Sequence, residues 1–369
     1  MKVLVTGADG FVGRNFCFAL GERPGFEVLK VTRDTSGADF TTRIAAAEAV
    51  VHLAGVNRSQ DPGDFATGNS DFTAALAARL VAADKAIPVL FASSIQAERD
   101  NPYGLSKLAA EDALAGYAKT TGAAVAIYRL PNVFGKWCRP NYNSAVATFC
   151  HNLSRGLPIE IHDPAAPVIL VYVDDVVEAF IGRLNEPVAG LSRPEVAPVY
   201  STTVGKLADQ IRAFADVRQN MVTERVGTGL VRALYATYIS CLEASAFSYR
   251  IPKYGDPRGV FVEMLKTKDS GQFSFFTAHP GITRGGHYHH TKTEKFLVIK
   301  GLALFKFRHI VTGERYELQT TGDEPVVVET IPGWAHDITN IGSDEMVVML
   351  WANEVFDRSR PDTVAALVY

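Results

Sequence analysis

Five short apolar runs in the first 130 residues limit the fold more than any other feature of the chain. They are "KVLVTG" (2–7), "FEVLKVT" (26–32), "AVVHLAG" (49–55), "PVLFASS" (88–94) and "AVAIYRL" (124–130). None alternates cleanly with polar residues, which is the pattern of parallel strands covered on both faces. The stretches "FVGRNFCFALGE", "NSDFTAALAARLVAADK" and "LSKLAAEDALAGYAKTTG" between them carry apolar residues at helical spacing. The order βαβαβ predicts an α/β unit built on a doubly wound parallel sheet.

The pattern changes further along. From about 181 to 245 it is mixed and mostly helical, reading as the remainder of the same domain covering a substrate cleft. "SAFSYRIPKYGDPRG" (245–259) reads as a linker. Beyond it, "GVFVEMLK", "GQFSFFTA", "EKFLVIKG", "LALFKFRHI", "ERYELQT", "EPVVVETI" and "DEMVVMLWA" are strand-like, separated by turns and without a long helix. That predicts an antiparallel sandwich or barrel, so the chain reads as α/β plus β. The expected boundaries are residues 1–245 for the first domain, 246–257 for the linker and 258–369 for the second.

The chain of 369 residues has a formal charge of −3 and no run of Lys or Arg, which argues against a nucleic acid or an anionic membrane as partner. Cys17, Cys138, Cys150 and Cys241 form no C-x-x-C pair, so free thiols in a reducing compartment are expected. The first residues enter a strand pattern directly, and no apolar run reaches about 18 residues. A cytoplasmic location is the expectation.

Gly7, Gly10 and Gly13 sit where the first strand turns into the first helix. Glycines there permit a tight turn and close approach of backbone to a pyrophosphate, with the N–H groups of the helix start aimed at it. The spacing, G-x-x-G-x-x-G, encloses Asp9, Phe11 and Val12. Arg33, after the second strand, could pair with a 2′-phosphate and so favours NADPH, while Asp34 beside it keeps NADH open. Tyr103 and Lys107, four apart at a helix start, share one face. An ammonium near a phenol lowers the phenol's pKa, which would make Tyr103 a usable general acid. Ser94, ending the strand "LFASS", can donate to a carbonyl oxygen.

Together these residues resemble an extended short-chain dehydrogenase/reductase acting on nucleotide sugars, over roughly residues 1–240. The resemblance implies a Rossmann-like fold. It implies Ser94, Tyr103 and Lys107 as catalytic residues and Asp39–Phe40, Leu53-Ala54-Gly55 and Asn69 as cofactor contacts. It also implies a nicotinamide segment "RLPNVFG" (129–135) with Asn132 and Val133, and a late substrate-domain motif "VYVDDVVEAF" (171–180). Only eight residues separate Ser94 from Tyr103, fewer than in most of that family, so the loop over the substrate site is trimmed.

The second half carries Gly281-x5-His287-x-His289-x4-Glu294-x6-Gly301. Residues i and i+2 of a strand share a face, so His287 and His289 can both point inward. His290 then points to the other face. The pattern matches the first motif of the cupin family, and "IPGWAHDITN" (331–340), with His336 and Asn340, resembles the second. The implied fold is a cupin β-barrel. Three imidazoles and one carboxylate (His287, His289, Glu294, His336) suit zinc, manganese, iron or nickel. Such a metal could do chemistry or hold the barrel together.

Taken end to end, "SSIQAERDNPYGLSK" (93–107), "PNVFGKWCRPNYNS" (131–144) and "HYHHTKTEKFLVIKG" (287–301) are similar to bifunctional capsular-polysaccharide enzymes of the CapF type. That resemblance implies a UDP-linked 2-acetamido-2,6-dideoxy-4-hexulose as substrate, epimerised at C3 by the cupin and reduced at C4 with NADPH. It also implies a zinc-bearing cupin and a homodimer. Lys136, Trp137, Arg139, Asn141 and Tyr142 are candidates for the sugar-nucleotide pocket, or for an ordinary exposed loop. Three other readings are compatible with the residues: a monofunctional reductase with a dimerising cupin, an epimerase that regenerates its cofactor, and an NADPH-binding sensor without turnover. The intact Ser94, Tyr103 and Lys107 weigh against the sensor.

Overall fold

A computed structural model describes residues 1–251, 254–256, 259–261, 265–268, 272–354 and 359–369. All five apolar runs form strands. With a short sixth they make one parallel sheet, in the order Glu27–Val31, Lys2–Thr6, Ala49–His52, Val89–Ser94, Val125–Leu130 and Leu191–Ser192. Alternate side chains serve two cores, as a sheet buried on both faces requires. Val3, Val5, Val51, Leu90 and Tyr128 meet Phe16 and Leu20 of helix Phe11–Gly21 and Phe180 of helix Val173–Asn185. Leu4, Val50, Phe91, Val125 and Ile127 meet Phe40, Leu76, Leu80, Leu114 and Tyr117 from helices Gly37–Ala46, Phe72–Ala82 and Pro102–Thr121. Each side chain fully buried this way contributes about 1.5–3 kcal/mol.

The sheet order fixes where a ligand can bind. Successive strands run outward in opposite directions from the Lys2–Thr6 and Ala49–His52 pair, so the crevice at their carboxyl ends lies at the switch point. The segments leaving those strands are Gly7–Gly13 and Leu53–Gly55.

The described chain gathers into two compact units, residues 1–144 with 167–202 and residues 145–166 with 203–369. The division does not follow chain order. Helices Ala145–Leu153, Val204–Asn220 and Gly229–Ser240 pack on one another in the second unit. Most of the rest of that unit is two antiparallel five-stranded sheets. One runs Ser248–Arg250, Val326–Glu329, Glu294–Lys300, Met346–Ala352, Gln272–Ala278. The other runs Arg315–Thr321, Leu302–His309, Trp334–Asn340, Thr283–Tyr288, Val364–Ala365. Their inner faces meet through Phe296 and Phe305 (ring centroids 5.8 Å apart), and Phe247 wedges against Phe307 and Trp334 at 5.5 and 4.8 Å. Ser248–Arg250, inside the stretch that reads as linker, is an edge strand paired with Val326–Val328. Part of "GVFVEMLK" (262–264) lies outside the described residues.

A buried ion cluster holds the first of these sheets to helix Val204–Asn220. Lys295, next to Glu294 on its strand, faces the other way and pairs with Glu329. Arg218 donates to the same carboxylate at 2.7 Å. Charges this deeply buried persist only when paired.

Candidate functional site

The first unit builds a cradle from backbone. Gly7 leaves its strand at φ +65, where an L side chain is strained. A Cβ on Gly7 would lie 2.7 Å from the Ala54 nitrogen, and one on Gly13 would lie 2.0 Å from the Gly7 oxygen. Gly10 N–H donates to Gly7 O at 2.9 Å, closing the turn. Gly10 is also the N-cap of helix Phe11–Gly21 and offers no side-chain cap, so the first N–H groups of the helix are left for a ligand. Thr6 Oγ1 accepts from Leu53 N and Ala54 N, both at 3.2 Å, and pairs with His52 Nδ1 at 2.6 Å. Burial, then the Lys107 charge, pushes His52 down to about 3, so the ring is neutral. A cradle that only glycine can line, closed by an uncapped helix start, fits a dinucleotide pyrophosphate.

Around this cradle the expected contacts divide. Asp9, Arg33, Asp39 and Gly55 are exposed. Arg33 follows the Glu27–Val31 strand, where an adenosine ribose would approach. Asp39 lies in the first turn of helix Gly37–Ala46, its carboxylate accepting from Ser36 Oγ at 2.8 Å. Phe40 is core, stacked on Phe72 with centroids 6.1 Å apart. The Asn69 amide is committed inside the protein: Oδ1 accepts from Val56 N, and Nδ2 donates to Val56 O and Ser106 Oγ, each at 2.9 Å. Asn69 therefore ties the segment after the third strand to the Tyr103–Lys107 helix.

Ser94 ends the strand Val89–Ser94, and its Oγ accepts from Gln96 N at 3.1 Å while the hydroxyl is hydrogen-bonded to Tyr103. A 3₁₀ turn, Ile95–Glu98, fills the trimmed loop. Asn101 Oδ1 then caps the next helix by accepting from Gly104 N at 2.9 Å. The short connection presses that helix onto the turn: a Cβ on Gly104 would sit 2.2 Å from Gln96 O, so glycine is required directly after Tyr103. Lys107 is 6 % exposed and donates to Ala92 O at 3.1 Å. Burial pulls its pKa from 10.5 to about 8, and Glu111 opposes that.

The expected lowering of the Tyr103 phenol is not found. Burial raises its pKa, and the hydrogen bond from Ser94 opposes this only in part. Proximity on a helix face was the ground for that expectation, but the Lys107 ammonium is directed at a main-chain oxygen instead.

Asn132 anchors its segment by donating to Ile169 O at 2.9 Å, and Val133 beside it is half-buried. Of the pocket candidates, Lys136 is 2 % exposed and pairs with Asp174 at 2.7 Å, joining the end of "RLPNVFG" to the start of helix Val173–Asn185. Its ammonium also stands 5.4 Å from the ring of Trp137, which is tilted against Phe18. Arg139 lies over Tyr142 at 5.2 Å, and Tyr142 OH donates to Arg58 O at 3.2 Å. Trp137 and Asn141 hold positive φ, at 67 and 53. Lys136 is thus a buried structural cation, while Arg139, Asn141 and Tyr142 stand on a folded surface loop.

In the second unit His287, His289, Glu294 and His336 converge, with one ligand atom from each lying within 4.8 Å of the others. His287 and His289 share the inner face of one strand end and the turn after it, and His336 is their neighbour on strand Trp334–Asn340. Glu294 arrives from the opposite sheet, its Oε2 3.1 Å from His289 Nε2 and 3.6 Å from His336 Nε2. His290 turns away and packs on Tyr288. His289 Nδ1 faces Asp362 O at 2.5 Å and His336 Nδ1 faces Trp334 O at 3.3 Å. A carbonyl at Nδ1 selects the Nδ1–H tautomer and leaves the Nε2 lone pair free. His336 Nε2 is buried without a hydrogen-bond partner. Burial, then His336 and His289, pushes His287 down to about 3. Burial would raise Glu294, yet the imidazoles around it hold the carboxyl well below its usual range. A neutral His287, an ionised carboxylate and an orphaned inward lone pair on His336 fit a divalent metal of the zinc class.

Two groups of functional weight escaped sequence reasoning. Glu111, fully buried, takes Arg129 through Nε at 2.9 Å and NH2 at 2.7 Å, and Ser93 Oγ at 2.5 Å, tying the ends of two strands to the Tyr103–Lys107 helix. Its i+4 spacing from Lys107 was a usable signal. Asp362 holds the turn after His289, and nothing in the local sequence announces it.

The fold and the two constellations define a class: a dinucleotide-binding α/β unit joined to a β unit with an imidazole–carboxylate cup. Residues 3–196 match the NAD dependent epimerase/dehydratase family, and residues 254–364 match the polysaccharide biosynthesis C-terminal domain. The chain belongs to the NAD dependent epimerase/dehydratase family, and its first unit is an NAD(P)-binding domain. More particularly, it is closely related to CapF, a bifunctional capsular-polysaccharide biosynthesis enzyme. It is 40% identical to the capsular polysaccharide assembling protein CapF from Staphylococcus aureus, with TM-score 0.68 and full coverage of both chains. It is 58% identical over 368 residues, 100% of this chain and 99% of the other, to UDP-2-acetamido-2,6-beta-L-arabino-hexul-4-ose reductase of Pseudomonas aeruginosa. UDP-glucuronic acid 4-epimerase from Bacillus cereus shares the fold, at 19% identity and TM-score 0.55 over 65% of this chain and 98% of that one.

Proposed function

We propose that the chain performs two consecutive steps on one keto-sugar. The second unit epimerises C3 of UDP-2-acetamido-2,6-dideoxy-4-hexulose, and the first reduces the C4 carbonyl to give UDP-2-acetamido-2,6-dideoxy-L-talose, on the way to UDP-N-acetyl-L-fucosamine for capsule or O-antigen. The observation that carries this reading is the four-residue cup in a chain whose other unit is an NAD(P)-binding domain. The full-length likeness to a hexulose reductase supplies the substrate class.

A C4 ketone acidifies the C3–H. Removing that proton leaves negative charge on the ketone oxygen, and returning a proton to the other face inverts C3. A metal held by His287, His289, Glu294 and His336 would supply electrostatic stabilisation of that charge. Reduction then traps the product of a reversible step. NADPH in the glycine cradle would supply hydride at C4. Ser94 donates a hydrogen bond to the C4 oxygen as charge grows on it. Tyr103 passes its phenolic proton to that oxygen, one helical turn from the buried Lys107 ammonium. A Tyr103 held protonated by burial suits a group that gives its proton only when the alkoxide forms.

We assign residues 1–245 to the reductase with its substrate subdomain and 258–369 to a cupin, with Ser248–Arg250 of the expected linker 246–257 paired into the cupin's sheet. We further assign zinc to the cup, NADPH rather than NADH to the cradle through Arg33, and a cytoplasmic homodimer as the working form. Among the described residues no helix is long and apolar enough to cross a membrane. Substrate-dependent NADPH oxidation, followed at 340 nm, tests the reading. The wild type should consume NADPH with the UDP-4-keto-sugar, and Tyr103→Phe should lose at least about 100-fold in rate. No consumption by the wild type would refute it.

A further inference from the structure

We infer that Asp362 is a positioning residue for the metal cup, an inference that rests on the metal-binding reading above. Its carboxylate gathers the whole turn between His289 and Glu294. Oδ1 accepts from His290 N at 2.8 Å. Oδ2 accepts from Thr291 N and Lys292 N, each at 2.7 Å, and from Thr291 Oγ1 at 2.9 Å. The main-chain oxygen of the same residue accepts from His289 Nδ1 at 2.5 Å. One residue therefore sets both the tautomer of a ligand and the path of the chain to the next ligand.

The anchoring is long-range and specific. Asp362 is about seventy positions from the turn it holds, and the residues after it continue the contact. Val364 and Ala365 pair with Tyr288 and His287 as an edge strand, and Thr363 Oγ1 accepts from Lys292 Nζ at 3.4 Å. That Lys292 ammonium lies 3.1 Å from Glu294 Oε1, so the clasp reaches the carboxylate ligand as well. Left to itself, a turn with three adjacent N–H groups directed to one side would need another acceptor or water. The carboxylate satisfies all three together, which fixes the Nε2 of His289 against Glu294 before any ion arrives. Partners of this kind, one shell out from the ligands, typically change metal affinity about 10–100-fold when removed.

The test is zinc affinity of the full-length protein, stripped of metal and titrated against a chromophoric chelator. Asp362→Ala removes the carboxylate, and Asp362→Asn keeps the shape but places an NH2 group among N–H donors. Both should bind zinc about 10–100-fold more weakly than wild type. The cobalt-loaded Asp362→Asn protein should also show a shifted visible spectrum, because the ligand field follows ring orientation. Asn340→Ala is the control for general destabilisation. Asn340 is fully buried, and its amide serves Ala278 O, Asp344 O and Gly342 N, away from the cup. It should lose stability and keep its zinc affinity. Wild-type affinity and spectrum in both Asp362 variants would overturn the positioning role, as would an equal loss of affinity in Asn340→Ala. Failure of the wild type itself to bind zinc would overturn the metal reading, and this inference with it.

Discussion

Replacing Lys107 by Met should make the protein more stable and the reductase inactive. The Lys107 ammonium is buried, and its pKa falls from 10.5 to about 8, mainly through loss of solvation. At about 1.36 kcal/mol per pKa unit, keeping the charge in the folded state costs about 3 kcal/mol at pH 7. Met has nearly the same volume and carries no charge. Its drawback is that Ala92 O loses a donor now at 3.1 Å, about 1 kcal/mol. The variant should therefore be about 2 kcal/mol more stable at pH 7 without cofactor. The sign of the pH dependence follows from proton counting. Below pH 8 both states of the wild type hold the proton. Between about 8 and 10.5 only the unfolded chain does, so wild-type stability rises with pH across that window and the advantage of Met shrinks. Thermal unfolding of the cofactor-free proteins at pH 7 and pH 9.5 measures both, and NADPH oxidation should fall by at least about 100-fold. A variant less stable than wild type at pH 7, or a stability gap that ignores pH, would refute the reasoning.

Gly13→Ala places a methyl group 2.0 Å from Gly7 O, with backbone and not a flexible side chain in the way. The cradle must shift at a cost of about 1–3 kcal/mol. NADPH binding, followed by fluorescence titration, should weaken by about 5- to 150-fold, and an unchanged affinity would show that the pyrophosphate lies elsewhere. Glu111→Gln strips the carboxylate from Arg129 while Ser93 keeps a partner. Arg129 retains Glu98 and some solvent, so the loss belongs at the lower end of the range for a broken buried pair, about 3 kcal/mol by chemical denaturation. A neutral result would mean that the pair contributes nothing net.

What was legible in the sequence followed from local pattern. The five apolar runs read as buried parallel strands because sheets covered on both faces leave no room for polar alternation. Gly7, Gly10 and Gly13 were readable because a Cβ at these positions would lie 2.7, 3.1 and 2.0 Å from neighbouring backbone. The cup was readable too: His287 and His289 share a strand face, and a carboxylate and a third imidazole lie at motif spacing. What sequence spacing could not give was where polar atoms find partners. Asn69, Phe40 and Lys136 were expected as ligand contacts, yet the first and third are bound up inside the fold and the second is core. The Tyr103 phenol was expected to be lowered by Lys107, but solvation is a property of the packed state, and burial outweighs helix-face proximity. Asp362 illustrates the same limit from the other side, since a contact across some seventy residues carries no local signature.

The most direct test of the two-step account follows the C3 proton. NMR of the UDP-4-keto-sugar in D2O, with protein and without NADPH, should show deuterium entering at C3. Tyr103→Phe should leave that exchange intact while abolishing reduction, and His336→Ala should abolish exchange while leaving NADPH bound. Exchange lost in Tyr103→Phe but kept in His336→Ala would contradict the assignment of the two steps to two units.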